Sequence, residues 1–106
     1  MSTTLVRAEK QIERVKRELM ALGPMRPGSI TKQYRLPKER KRPFYQISYT
    51  RQMRSHTEYV RPEHLVELRR ETVIFRRFRK LVERWVALAL KASKFRITQT
   101  KLSTRP

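Results

Sequence analysis

The chain contains no cysteine, no aspartate and no asparagine, and its nine acidic residues are all glutamate. Without cysteine there is no disulfide framework, no thiol nucleophile and no thiolate zinc site. Without aspartate the carboxylate clusters of most metal-dependent hydrolases and transposases cannot be built. The only histidines, His56 and His64, lie eight residues apart, and no carboxylate is spaced to complete a metal site with them. No adjacent histidine pair accompanies a tyrosine, and nothing in the spacing singles out one tyrosine as a nucleophile. These absences argue against an enzyme and against a metal or other cofactor.

Long apolar runs are missing too. Charges from Arg7 to Glu18 interrupt any signal-peptide core, and the most apolar stretch, residues 81–90, contains Glu83 and Arg84. Ten residues are too few to span a bilayer, which takes about 20. A cytoplasmic protein with no membrane association is the expectation.

What the chain has in excess is positive charge: 27 Lys and Arg among 106 residues, for a net charge of +18. A globule this basic repels itself, so its natural partner is a polyanion. The charge is uneven. Residues 1–22 carry +2, residues 23–60 carry +7, residues 61–92 carry +5 and residues 93–106 carry +4. Arginine outnumbers lysine 18 to 9, and its planar fork pairs bidentately with phosphate or guanine edges.

Periodicity organises the chain. Leu5, Ala8, Ile12, Val15, Leu19 and Leu22 recur at alternating spacings of three and four, which predicts a helix over 3–22 ended by Gly23-Pro24. Its narrow seam either packs on the chain's own core or joins it to a second copy or larger protein through Leu5, Ile12, Val15 and Leu19. Residues 25–60 alternate instead. Ile30, Lys32, Tyr34 and Leu36 share one face of a first strand, opposite Thr31, Gln33 and Arg35. Tyr45, Ile47 and Tyr49 share the core face of a second strand over 44–50, opposite Gln46, Ser48 and Thr50. Residues 55–60 form a weaker third strand. The turn 51–54 lacks the Asn-Gly signature of tight hairpins, which leaves its register open. A second helix covers 62–92, opened by Pro62, and 93–106 is expected to be a basic arm ordered by its partner. The fold class is α+β: a helix at 1–22, a three-stranded antiparallel sheet plus long helix at 23–92, and the tail, all in one domain.

Candidate contacts follow from this layout. Lys38, Arg40, Lys41 and Arg42 lie in the connection between the first two strands, and Arg51 and Arg54 at the hairpin tip. Arg35, Gln46, Ser48 and Thr50 lie on the polar sheet face. Arg69, Arg70, Arg76, Arg77, Lys80 and Arg84 band the second helix, and Lys94, Arg96 and Lys101 lie in the tail. Distributed cations match the recurring phosphates of a nucleic acid. The tyrosines and Phe44 leave open a stacking platform for unpaired bases, although Tyr45 and Tyr49 share their face with Ile47 and suit a core better.

The residues Arg26-Pro-Gly-Ser-Ile30, Tyr34, Pro43-Phe-Tyr-Gln-Ile-Ser-Tyr49 and Tyr59-Val60 give the chain a resemblance to a family of small uncharacterised bacterial and archaeal basic proteins. The resemblance covers roughly residues 12–92, implies an association with mobile elements and brings no established activity. Members often carry cysteines between the first two strands. Here that segment is Arg35-Leu-Pro-Lys-Glu-Arg-Lys-Arg-Pro43, so no metal knuckle carries over. In architecture the chain also resembles the arm-binding domains of phage-type integrases, which lay a three-stranded sheet in the major groove; that likeness implies DNA. The expected role is therefore a non-enzymatic DNA-binding accessory or architectural protein. The alternatives are an RNA-binding subunit of a ribonucleoprotein complex, or a helical docking module for a larger mobile-element enzyme.

Overall fold

The computed structural model describes residues 3–104, with side chains described for residues 3–100. The elements run in the order helix α1 (Thr3–Met20), strands β1 (Ser29–Leu36), β2 (Lys41–Arg51) and β3 (Arg54–Val60), a single 3-10 turn (Pro62–His64) and helix α2 (Leu65–Thr104). The architecture is α+β, with β2 central in an antiparallel sheet of order β1-β2-β3. The described residues divide into two compact units, one spanning 23–76 and the other combining 3–22 with 77–104.

In the sheet unit, the register sets Ile30 and Glu58 opposite Ile47, and Lys32 and Val60 opposite Tyr45. Side chains alternate across a strand, so this face carries the apolar residues; Ile47 and Val60 are buried to 1% and 2% exposure. The first turns of α2 bring Thr72 into this unit's interior at 3% exposure, where its hydroxyl donates to the Arg69 carbonyl at 3.0 Å. The Arg69 guanidinium lies 5.3 Å from the centre of the Tyr45 ring. Arg26 ties the segment before β1 to both layers. Its amide donates to the Glu71 carbonyl at 3.1 Å, its guanidinium pairs with Glu58 and it lies over the Tyr49 ring.

Gly28 is required by packing. Its φ is +144°, and a Cβ at this position would come within 2.8 Å of Ile47 Cγ1. The chain enters β1 against the most buried residue of the sheet, and only a residue without a side chain fits.

The second unit is a helical hairpin. Lys16 lies over the Trp85 ring at 5.3 Å, and Glu18 pairs with Arg77 at 3.6 Å, so α1 runs antiparallel to the later turns of α2. Leu5, Ala8 and Ile12 of α1 cluster with Ala92, and Trp85, Leu88 and Phe95 pack around them. Leu81, Trp85, Leu88, Ala92 and Phe95 repeat the alternating spacing of the α1 seam, so two matching stripes close on each other.

This pairing revises two expectations. The α1 seam is occupied within the chain: Leu5, Ile12 and Val15 are buried and Leu19 is half-buried. It is therefore not an open surface for a second copy or a larger protein. Secondly, α2 does not end at Ala92; residues 93–104 are its last turns rather than an extended arm. From Glu63 to Arg105 there is neither glycine nor proline to stop the helix. Phe95 continues the packed stripe. The two units accordingly divide after Leu22 and, inside α2, after Arg76 rather than after Ala92.

Replacing Ile47 with Asp buries a carboxylate with no partner and should abolish the cooperative unfolding of the sheet unit, which near-ultraviolet circular dichroism would follow through Tyr45 and Tyr49. A folded variant with an unchanged transition would contradict the assigned core. Gly28→Ala should cost about 1–3 kcal/mol, read as a lowered urea midpoint at constant m-value.

Candidate nucleic-acid interface

The opposite face of the sheet is open. Alternation places Ser29, Thr31, Gln33 and Arg35 of β1 on it, with Phe44, Gln46, Ser48 and Thr50 of β2 and Ser55, Thr57 and Tyr59 of β3. The register lines them into cross-strand rows: Ser29–Ser48–Thr57, Thr31–Gln46–Tyr59, and the pairs Gln33–Phe44 and Thr50–Ser55. Hydroxyls bridge within the rows, Ser48 to Thr57 at 3.1 Å and Thr50 to Ser55 at 3.4 Å. Among the described residues no acidic side chain of the sheet shares this face. Glu58, the only glutamate in any of the three strands, points to the core side, where it pairs with Arg26 and accepts from the Tyr49 hydroxyl at 3.3 Å.

Cations bracket the neutral rows. At one end of β2, the turn 37–40 and the strand start bring Lys38, Arg40, Lys41 and Arg42 together, all exposed. Arg40 and Arg42 have φ of 51° and 57°, left-handed conformations that turn the chain sharply there. Arg35 lies over Phe44 at 5.0 Å, which orients its guanidinium on the open face. At the other end stand Arg51 and Arg54, directly opposite each other across the turn. Between Arg42 and Arg51 the strand rises about 30 Å at 3.3 Å per residue. The open face is hydrogen-bonding in its middle and cationic at the Arg35–Arg42 end, whereas the Arg51–Arg54 pair at the other end falls by alternation on the Ile47 side.

The structure separates the expected helix band by unit. In the sheet unit, Arg69 lies on Tyr45 and Arg70 pairs with Glu67 at 3.1 Å, while Arg76 is exposed. In the hairpin unit, Arg77 pairs with Glu18, and Lys80, Arg84, Lys94 and Arg96 are exposed. The side chain of Lys101 lies outside the described residues. Arg35, Gln46, Ser48 and Thr50 thus share one face, with the turn cations at one end, while Arg51 and Arg54 stand at the hairpin tip on the other side of the sheet.

Sequence reasoning missed Ser29, Ser55 and Thr57, and offered Tyr59 only as one of several stacking candidates. Strand β3 has one buried residue, Val60, and otherwise exposed side chains. Its alternation carries no hydrophobic signal, and its faces are defined only by pairing with β2. The stacking question is also divided: Tyr34, Tyr45 and Tyr49 lie on the core side, whereas Phe44 and Tyr59 belong to the open face, Tyr59 at 56% exposure.

The hairpin tip, like the β1–β2 connection, carries two non-glycine residues in the left-handed region. Gln52 and Met53 have φ of 52° and 65°. Positive φ at both central residues is the type I′ turn that matches strand twist, and it favours Asn-Gly. Here two long side chains occupy it. The double variant Q52N/M53G relieves that conflict and should be about 1–2 kcal/mol more stable, measured as a raised urea midpoint.

Among the described residues no group of three His, Cys, Asp or Glu side chains is placed to hold a metal ion, and no helix is long and apolar enough to cross a membrane. The chain matches no protein-family model, no curated protein and no solved structure.

Proposed function

We propose that this chain is a non-enzymatic DNA-binding protein of accessory or architectural type, acting in the cytoplasm, which lays the open face of its sheet in the major groove. The observation that carries the reading is the composition of that face: rows of hydroxyl and amide groups, no carboxylate, and Arg35 beside the basic turn 38–42 at one end. Three strands at about 4.8 Å spacing set the outer backbones about 10 Å apart, within the groove's width of about 12 Å. Gln33 and Gln46 suit adenine edges, Arg35 suits guanine, and Thr31 and Thr57 offer methyl groups to thymine. Arg40, Lys41, Arg42, Arg51 and Arg54 would meet phosphates and fix the register, supplying most of the affinity. The exposed cations Lys80, Arg84, Lys94 and Arg96 of the hairpin unit add non-specific attraction.

One observation favours a second reading. Tyr59 and Phe44 give the open face two aromatic rings, which would stack unpaired bases of an RNA or single strand. Equilibrium binding to matched duplex DNA, duplex RNA and single-stranded probes separates the two. The duplex-DNA reading predicts the tightest binding to DNA duplexes and little dependence on Tyr59. Preference for single strands, abolished in Tyr59→Ala, would replace it.

The variant R40A/K41A/R42A should weaken duplex binding and flatten its salt dependence. Each phosphate left without its cation lowers the slope of log K against log salt by about 0.9, so the slope should fall by up to about 2.7 in the triple variant. An unchanged slope would remove this end of the sheet from the interface. Replacing Gln46 and Thr57 with Ala should instead leave the slope intact and reduce discrimination between sequences.

A further inference from the structure

Residues 51–54 combine features that oppose stability. Gln52 and Met53 both adopt left-handed conformations that disfavour side chains. Arg51 and Arg54 face each other across the turn, and like charges directly opposite repel. Neither is in an ion pair among the described residues. Met53, at the apex, is 98% exposed, more than any other large apolar side chain of the described residues. Asn-Gly at the tip and a glutamate in place of one arginine would remove most of this cost. Local conflicts of this kind concentrate at sites that work on a partner.

We propose, resting on the DNA reading above, that the β2–β3 hairpin tip is a wedge: Met53 enters a base step of duplex DNA while Arg51 and Arg54 straddle it on the two flanking phosphates. Two of the features that are unfavourable in the free protein, the exposed methionine and the facing arginines, are relieved by this partner. Methionine is unbranched and polarizable, and its thioether makes favourable contacts with aromatic rings, which base faces provide. The arginine pair exchanges mutual repulsion for two phosphates. The positive φ at Met53 projects its side chain from the apex instead of folding it back on the strands. Apolar wedges flanked by arginine unstack a step and kink the duplex, and flexible pyrimidine–purine steps yield most readily. The protein would then bend DNA as well as bind it, as an architectural factor does.

The experiment uses the full chain and a duplex of about 20 base pairs carrying 2-aminopurine at its TpA steps, with a donor and an acceptor dye at the two ends. The wild-type protein should raise 2-aminopurine fluorescence as the step unstacks and increase energy transfer as the duplex bends. Met53→Ala, compared with the wild type at protein concentrations that saturate the duplex, should lose both signals. Met53→Leu should keep them. The stabilised variant Q52N/M53G should lose them despite its better fold, an outcome that a merely structural role for the tip would not produce. Tight binding by the wild type with no change in either signal would overturn the wedge and leave the DNA reading standing. No binding to the duplex at low salt would overturn both.

Discussion

Self-repulsion sets the terms for this fold, because a net charge of +18 is spread over 106 residues whose described interior contains eight buried apolar side chains. Two unit charges 10 Å apart in water repel by only about 0.4 kcal/mol, but each cation here has many neighbours of its own sign. Residues 23–76 hold 13 basic and five acidic groups, and the rest of the chain 14 and four. Two of the glutamates are placed where they hold separate segments together: Glu58 on Arg26 and Glu18 on Arg77. The open sheet face and the hairpin tip receive none.

Helix α2 is what makes so small a core sufficient. Its first turns bury Thr72 in the sheet unit, and its later turns close Trp85, Leu88 and Ala92 over α1. One uninterrupted helix thereby contributes to both interiors, and the β2 face opposite Ile47 needs no second covering layer. That economy exposes the rows of hydroxyl and amide groups. The same reasoning explains why the α1 seam, which suggested a docking surface, is closed: the matching stripe lies in the same chain.

Much of this was legible in the sequence where periodicity was strong. The seam from Leu5 to Leu22, the alternation around Ile47 and the glycine–proline stop at 23–24 each pointed to the element that forms. Three features were not legible. Residues 93–104 contain the β-branched Ile97, Thr98 and Thr100, whose helix propensity is modest, and they stay helical because Phe95 continues a packed stripe. Strand β3 was legible as a strand, but which face each of its residues takes was not, because six of its seven residues are exposed. The tip turn could not be read because Gln52-Met53 contradicts the residues its geometry prefers. The half of the open face on β1 and β2 was therefore visible in advance, and the hydroxyl residues Ser55 and Thr57 of β3 were not.

The most direct measurement of the central claim is a residue-by-residue map of the bound state. Zero-length photocrosslinking of the protein to a duplex with 5-bromodeoxyuridine in place of thymidine, followed by mass spectrometry, reports which residues lie against base edges. The account predicts adducts on the open face and tip, foremost Tyr59, Phe44 and Met53, with none on Tyr45 or Tyr49. Adducts confined to the helical hairpin, or on the core-side tyrosines, would contradict it.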